Sequence, residues 1–371
     1  MTLSPADDHP IHQVAQPIRH AGTSDRNFYD RYYFNAHKID GSALVIAGMG
    51  QYPNLGITDA FVAVLSDGEQ RVVRASRVLG VDRMDSSVGP IRVEVIEGLR
   101  RLRLVLEPNE WGLACDLTFD GGVHPHEEPQ QIVKTADGKA ILDTFRMVQT
   151  GTWSGALSVD GTEISVTPGE WWGVRDRSWG VRPVGEPEPP GINATRGGSF
   201  YWIYAPLRFA DFTIVTIVQE DADGRRIMED ATKVWNLGPD GRPAHPDEYL
   251  GSPEVDLEFE PGTRAVTGAS IRFSRSPLTV RIDPMMAMHI GVGSGYGFDG
   301  DWRHGEFRGD LWVDGVEFHL DDPEDAKKMW GIVDTVPRAE TSDGDVGHGL
   351  FEYLLLGPHA RHGWKDLLDA P

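Results

Sequence analysis

Trp171-Trp172-Gly173-Val174-Arg175-Asp176-Arg177-Ser178-Trp179-Gly180 brings three indoles, two guanidiniums and one carboxylate into ten residues. Indoles offer large flat apolar faces with one donor each, and a guanidinium can pair with a carboxylate or lie over a ring. Gly173 and Gly180 suit a strand that must bend or let another group approach its backbone closely. Two readings follow. In one, the tryptophans plug the end of a β-barrel and an Arg-Asp pair ties the plug down. In the other, Asp176 sits on the floor of a pocket and acts on a bound ligand. The two are compatible.

Outward from this stretch the dominant period is two. Leu102, Leu104 and Leu106 alternate with Arg101, Arg103 and Val105, a strand pattern rather than a helical one. Apolar runs at 42–47, 60–65, 70–79, 91–96, 99–107, 111–119, 145–157 and 162–166 are separated by turn signals such as Asp67-Gly68, Asp120-Gly121-Gly122 and Asp160-Gly161. The second half repeats the make-up at 200–207, 212–219, 226–235, 255–259, 268–274, 278–282 and 349–356. Residues 302–307 and 311–320 read as a hairpin around Asp314-Gly315, and only 323–330, opening near Pro323 with acids early, reads as a helix. The expected fold is all-β, two antiparallel barrels or sandwiches packed side by side with few short helices. Residues 1–22 read as an arm, 23–190 as the first domain and 191–371 as the second, divided where Pro, Gly and charge concentrate between 183 and 198.

With 371 residues and 40% hydrophobic content the chain can bury a sizeable core, while its net charge of −22 repels phosphate backbones and anionic lipid surfaces. Nucleic acid is therefore not an expected partner. The start of the chain carries no apolar run, so neither a signal peptide nor membrane insertion is expected, and the reading is cytoplasmic. The single cysteine, Cys115, excludes a disulfide framework and a multi-thiolate metal site, and reads as a small buried hydrophobe. His124-Pro125-His126-Glu127-Glu128-Pro129 has ligand-type side chains, but its prolines suggest an exposed loop. The glycine run 291–297 lacks the lysine of a phosphate loop and a following helix. No metal and no cofactor is expected.

Trp172 to Arg182, the run Tyr32-Tyr33-Phe34-Asn35 and the strand Tyr201-Trp202-Ile203-Tyr204-Ala205-Pro206 resemble the two-domain lipocalin-like proteins related to carotenoid 1,2-hydratases (hydroxyneurosporene synthases), most of all their uncharacterised bacterial relatives. The resemblance covers most of the chain. It implies a pair of calycin-like barrels with an apolar pocket and, in characterised relatives, hydration of isoprenoid double bonds or cyclisation of polyenes. By motif position it carries the family's acid onto Asp176 alone.

The chemistry can be stated from the side chains. Hydrating an unactivated alkene, or folding a polyene into a ring, begins with proton transfer to carbon and passes through a carbocation. Desolvation among indoles raises the pKa of Asp176 and an adjacent Arg175 or Arg177 lowers it, and the sequence leaves open which is larger. Faces of Trp172, Trp179, Trp202 and Tyr204 suit a cation, and Trp302 and Arg175 join them as expected substrate-binding residues. His289, His304 and Tyr204 are expected catalytic partners of Asp176 on chemistry alone, to orient water or take back a proton. The ordinary alternative is core packing for each aromatic and a surface or capping role for each histidine. The functional reading is a cofactor-independent lyase or isomerase acting on an apolar isoprenoid, polyene or steroid-like molecule. Two alternatives stand beside it, a lipocalin-type protein that binds such a ligand unchanged, and an enzyme for a polar ligand whose carboxylate the Arg-Asp motif recognises. The sequence leaves room for a homodimer.

Overall fold

The alternating runs become antiparallel strands in the computed structural model, which describes residues 3–135, 138–188, 199–298 and 300–369. They form two barrel-like, lipocalin-like sheets, of fourteen and ten strands among the described residues. In the first, Leu311–His319, Glu69–Val78, Ile57–Ser66, Ala43–Tyr52, Phe28–Lys38, Trp171–Val181, Ala140–Val159, Leu113–Gly121, Arg101–Leu106 and Ile91–Glu97 follow in that order. In the second, Arg226–Trp235, Phe212–Glu220 and Phe200–Arg208 lead through Val346–Gly349 to Val333–Thr341, Ser276–His289, Val266–Phe273 and Pro253–Phe259. Phe351–Leu356 pairs with both Phe200–Arg208 and Val333–Thr341. No helix among the described residues is long and apolar enough to cross a membrane.

Because successive side chains leave a strand on opposite faces, each strand divides its residues between two environments. Along Trp171–Val181, Trp171 joins the first core with Phe34, Phe119, Trp153 and Cys115, and Val174 faces the other way. A second core gathers Tyr201, Ile203, Leu207, Phe212, Ile271 and Phe351. A third cluster belongs to both sheets, with Tyr33, Ile46, Phe61, Val148 and Val174 of the first against Trp202, Tyr204, Val215, Ile217 and Val336 of the second. Each fully buried side chain of this kind contributes about 1.5–3 kcal/mol relative to exposure. The two sheets are thus held face to face by apolar surface.

Three expectations are corrected. Leu311–His319 is one unbroken strand rather than part of a hairpin, and it runs straight through Asp314-Gly315. Gly315 lies under the Trp111 indole, where an added Cβ would stand 2.3 Å from the ring, so this glycine serves a close approach and not a turn. The strand pairs with Glu69–Val78, Leu311 opposite Arg77 and His319 opposite Glu69, so the second half of the chain supplies a strand to the first sheet. The helix is limited to Pro323–Ala326, capped by the Asp322 carboxylate, after which the chain turns Trp330 edge-on to Phe298 at 5.0 Å. Val333–Thr341 is a strand that the sequence leaves unmarked, its apolar pattern broken by Asp334, Pro337, Arg338 and Glu340. Of the segment expected to divide the domains, residues 189–198 lie outside the described residues.

Gly173 tests the fit of the central strand. A Cβ there would lie 1.9 Å from the Asn35 carbonyl oxygen and 2.5 Å from the Trp153 indole nitrogen, whereas nothing lies within 4 Å at Gly169. Gly173→Ala is expected to lose about 1–3 kcal/mol, as overpacked cores do. Gly169→Ala is expected to stay within about 0.5 kcal/mol of the parent. Urea denaturation of the two variants reads the difference.

Candidate functional site

The facing sheets do not close completely. Between them lies a cavity of about 280 Å3, walled on one side by Arg31, Tyr33, Arg146, Asp176 and Ser178 and on the other by Phe200, Trp202, Tyr204, Glu352 and Leu354, with Arg182, Tyr296 and Phe298 completing it. Strand register explains the first wall. Asp176 stands opposite Tyr33 on one neighbouring strand and opposite Val148 on the other, on the outward face of the barrel. The cavity therefore sits in the apolar interface and not inside either barrel.

Asp176 makes no hydrogen bond or ion pair among the described residues. Burial pushes its pKa up, Arg146, Arg31, Arg177 and Arg182 pull against it, and the net shift is upward. Desolvation is thus the larger of the two effects that the sequence left open. The result is a carboxyl that gives up its proton less readily than usual and is turned toward an aromatic-walled space.

Beside it stands a tied network. The Tyr204 hydroxyl donates to Glu128 Oε1 at 2.7 Å, Arg146 Nη1 lies 3.4 Å from Glu128 Oε2, and the Arg146 guanidinium covers the Trp202 and Tyr204 rings at 5.2 and 5.4 Å. Burial pushes Glu128 up to about 7, against the pull of Arg146 and the Tyr204 bond. Residues 124–129, expected as an exposed loop, instead cross to the second sheet. His124 meets Asp247 at 2.9 Å and His126 meets Asp230 at 2.5 Å, so the polar side chains have partners that only the tertiary fold supplies.

The other expected residues divide by distance from the cavity. Tyr204 and Trp202 line it with Asp176. His304 is one layer behind, its Nδ1 accepting from Arg182 Nη2 at 3.1 Å and its Nε2 donating to the Ser294 carbonyl at 2.7 Å. Burial, with Arg31 and Arg182 nearby, holds it well below the usual histidine range, so it is a neutral ring with both nitrogens engaged. Trp302 packs at 5.7 Å from that ring, outside the cavity wall. His289 ends its strand under Gln70, which bonds its backbone. Arg175 points into the first barrel, donating to Gln149 Oε1 at 2.8 Å, and burial lowers its pKa to about 10. Trp172 faces His348 and Arg208, and Trp179 is exposed against Phe145.

Sequence reasoning passed over Arg31, Arg146, Arg182, Glu128 and Glu352. Arg31 binds Tyr52 at 2.5 Å and lies 3.4 Å from Asp59, whereas Arg182, also in the cavity wall, has a buried Nε with no acceptor among the described residues. Glu69, Glu317 and His319 converge elsewhere within 4.8 Å, but Arg71 already pairs with both acids, at 2.6 and 3.4 Å.

A model of a family of unknown function (DUF8625) matches residues 3–365. No curated protein matches the chain. Among solved structures, a Nitrosomonas europaea protein provisionally identified as AttH is similar at 13% identity and a TM-score of 0.53, over 93% of this chain and 98% of that one. Kievitone hydratase of Nectria haematococca is similar at 14% identity and a TM-score of 0.48, over 88% of each chain. CghA with Sch210972 stands at 14% and 0.48, over 90% and 89%. The likeness to the first is one of fold.

Tyr204→Phe tests the network. With the folded pKa of Glu128 raised to about 7, its proton adds stability below the unfolded value, and that gain is lost as pH rises through the folded pKa. Above it the carboxylate is charged and is supported by Arg146 and, after it, by the Tyr204 donor. The variant should lose about 1.5–3 kcal/mol at high pH, where the bond is charge-assisted, and about 0.5–1.5 kcal/mol at low pH, where it is neutral. Denaturant titrations on either side of neutrality measure both.

Proposed function

The chain belongs to this family of unknown function, and we propose that it is a cofactor-independent lyase or isomerase, of hydratase or cyclase type, in which Asp176 protonates an apolar small molecule. The observation that carries the reading is Asp176 itself, a carboxyl of raised pKa with no partner among the described residues, facing a cavity between two barrels. A buried carboxyl that only holds the fold is ordinarily paired, and the absence of a partner for Asp176 supports a role toward a ligand. Proton transfer from such an acid to an alkene carbon forms a C–H bond and leaves a carbocation, and the aromatic lining of the cavity supports this reading because ring faces stabilise a cation.

The cavity also bears on the ligand. At about 280 Å3 it sits near the lower end of the ~300–1,000 Å3 of small-molecule pockets, which suits a compact ring system or a short isoprenoid better than a long polyene. The unpartnered Nε of Arg182, a residue of the cavity wall, supports a ligand that carries a hydroxyl or carbonyl.

The test is turnover. Geraniol, farnesol, retinol and an unsaturated steroid are incubated with the protein in 18O-labelled water, and products are followed by mass and retention time. A hydrated or isomerised product is the expected result, whereas bound but unchanged ligand identifies a carrier and overturns the reading. Asp176→Asn keeps shape while removing the titrating group. It should fold and bind as the parent does and lose ~10²–10⁴ of the rate, as loss of a general acid does.

A further inference from the structure

Asp176 is not the only carboxyl in the cavity wall. Glu352 reaches it from strand Phe351–Leu356, held by the Trp202 indole nitrogen, which donates to its Oε1 at 2.6 Å. On the neighbouring strand Val333–Thr341, Asp334 is its cross-strand partner, fully buried, with Oδ2 accepting from the Tyr33 hydroxyl at 2.5 Å. No basic side chain forms an ion pair with either acid among the described residues, and the second oxygen of Asp334 has no donor there. Arg146, over the Trp202 ring, draws on Glu352 without pairing with it, and two carboxylates placed side by side with no cation paired to either resist both being ionised. A proton between them supplies the missing donor, and the two side chains are in hydrogen-bonding contact.

We propose that Asp334 and Glu352 share one proton at rest and that Glu352 is the second acid–base group of the cavity, taking the proton that the reaction releases. This role rests on the reading of the cavity as a site of acid catalysis. In a hydration, the alkene π pair takes the proton of Asp176 to form a C–H bond, a water lone pair forms the C–O bond to the cation, and the resulting oxonium gives its extra proton to Glu352. Alkene and water become alcohol, one proton having left Asp176 and one having arrived at the pair. In an isomerisation Glu352 instead removes a proton from the carbon next to the cation, whose C–H electrons become the new double bond. One proton must then return to Asp176, whose cross-strand neighbour Tyr33 already bonds Asp334. Asp334 is a positioning residue: it touches Glu352 and Tyr33, not the cavity.

Infrared spectroscopy of the purified full chain tests the shared proton without any substrate. At a pH high enough to ionise Glu128, the wild type should retain a C=O stretch of a protonated carboxyl, separate from any that Asp176→Asn removes, which Asp334→Asn and Glu352→Gln each abolish. Absence of that signal in the wild type, or its survival in both variants, overturns the pair. Wild type and Asp334→Asn decide this even if Glu352→Gln does not fold. With farnesol as probe, Glu352→Gln should lower kcat by ~10²–10⁴, the range for loss of a general base, with KM little changed, and Asp334→Asn should shift the pH profile. An intact signal with no turnover of any panel compound overturns the catalytic role together with the reading beneath it. A missing signal with normal turnover overturns the pair alone.

Discussion

Each barrel closes an apolar core and still carries an apolar outer face, and the rest of the structure depends on those two faces being pressed together. The cluster of Tyr33, Phe61, Val148 and Val174 against Trp202, Tyr204, Val215 and Ile217 excludes water from the middle of the molecule. Charged groups that end up there lose their hydration and must find one another. Arg146 and Glu128 do so, as do Arg31 and Asp59. Asp176 does not, and its raised pKa follows from the same exclusion of water that joins the barrels.

The strand Trp171–Val181 shows how one segment serves both purposes. Its inward residues, Trp171 and Arg175, fill the first barrel, and its outward residues, Val174, Asp176 and Ser178, form the interface and the cavity wall. The barrel filling and the cavity wall are two faces of one ribbon, separated by the two-residue period, and the expected Arg-Asp tie within it is absent among the described residues, since Arg177 pairs with Asp30 and Arg175 with Gln149.

The same geometry explains what could be read beforehand. Strands such as Arg101–Leu106 were legible because one face meets the core and the other meets water, so the contrast is written locally. Along Trp171–Val181 buried and half-buried residues fall on both faces and Trp179 alone is exposed, so alternation loses its contrast; nothing in the sequence ranks Trp171, Trp172 and Trp179 by environment. Gly315 has the composition of a turn because a glycine under an indole and a glycine in a hairpin look alike in one dimension. Asp176 was legible through its unusual company of arginines and tryptophans. Glu352 was not, since its significance comes from Asp334 and Trp202, which only strand pairing brings beside it. Glu128 was taken for a loop residue because its partners, Tyr204 and Arg146, come from other strands.

The strand Leu311–His319 bears on how the molecule comes into being. It covers the edge strand Glu69–Val78 of the first sheet along nine paired positions, yet it lies far downstream of every other strand in that sheet. A nascent chain emerging from the ribosome has all the other strands of its first sheet long before this one arrives. Until then Glu69–Val78 presents unpaired backbone groups to whatever else is nearby, the kind of edge on which chains associate wrongly. The first barrel therefore cannot finish on its own schedule. Its completion is delayed until most of the second has been synthesised, which couples the two halves in time as firmly as the apolar interface couples them in space.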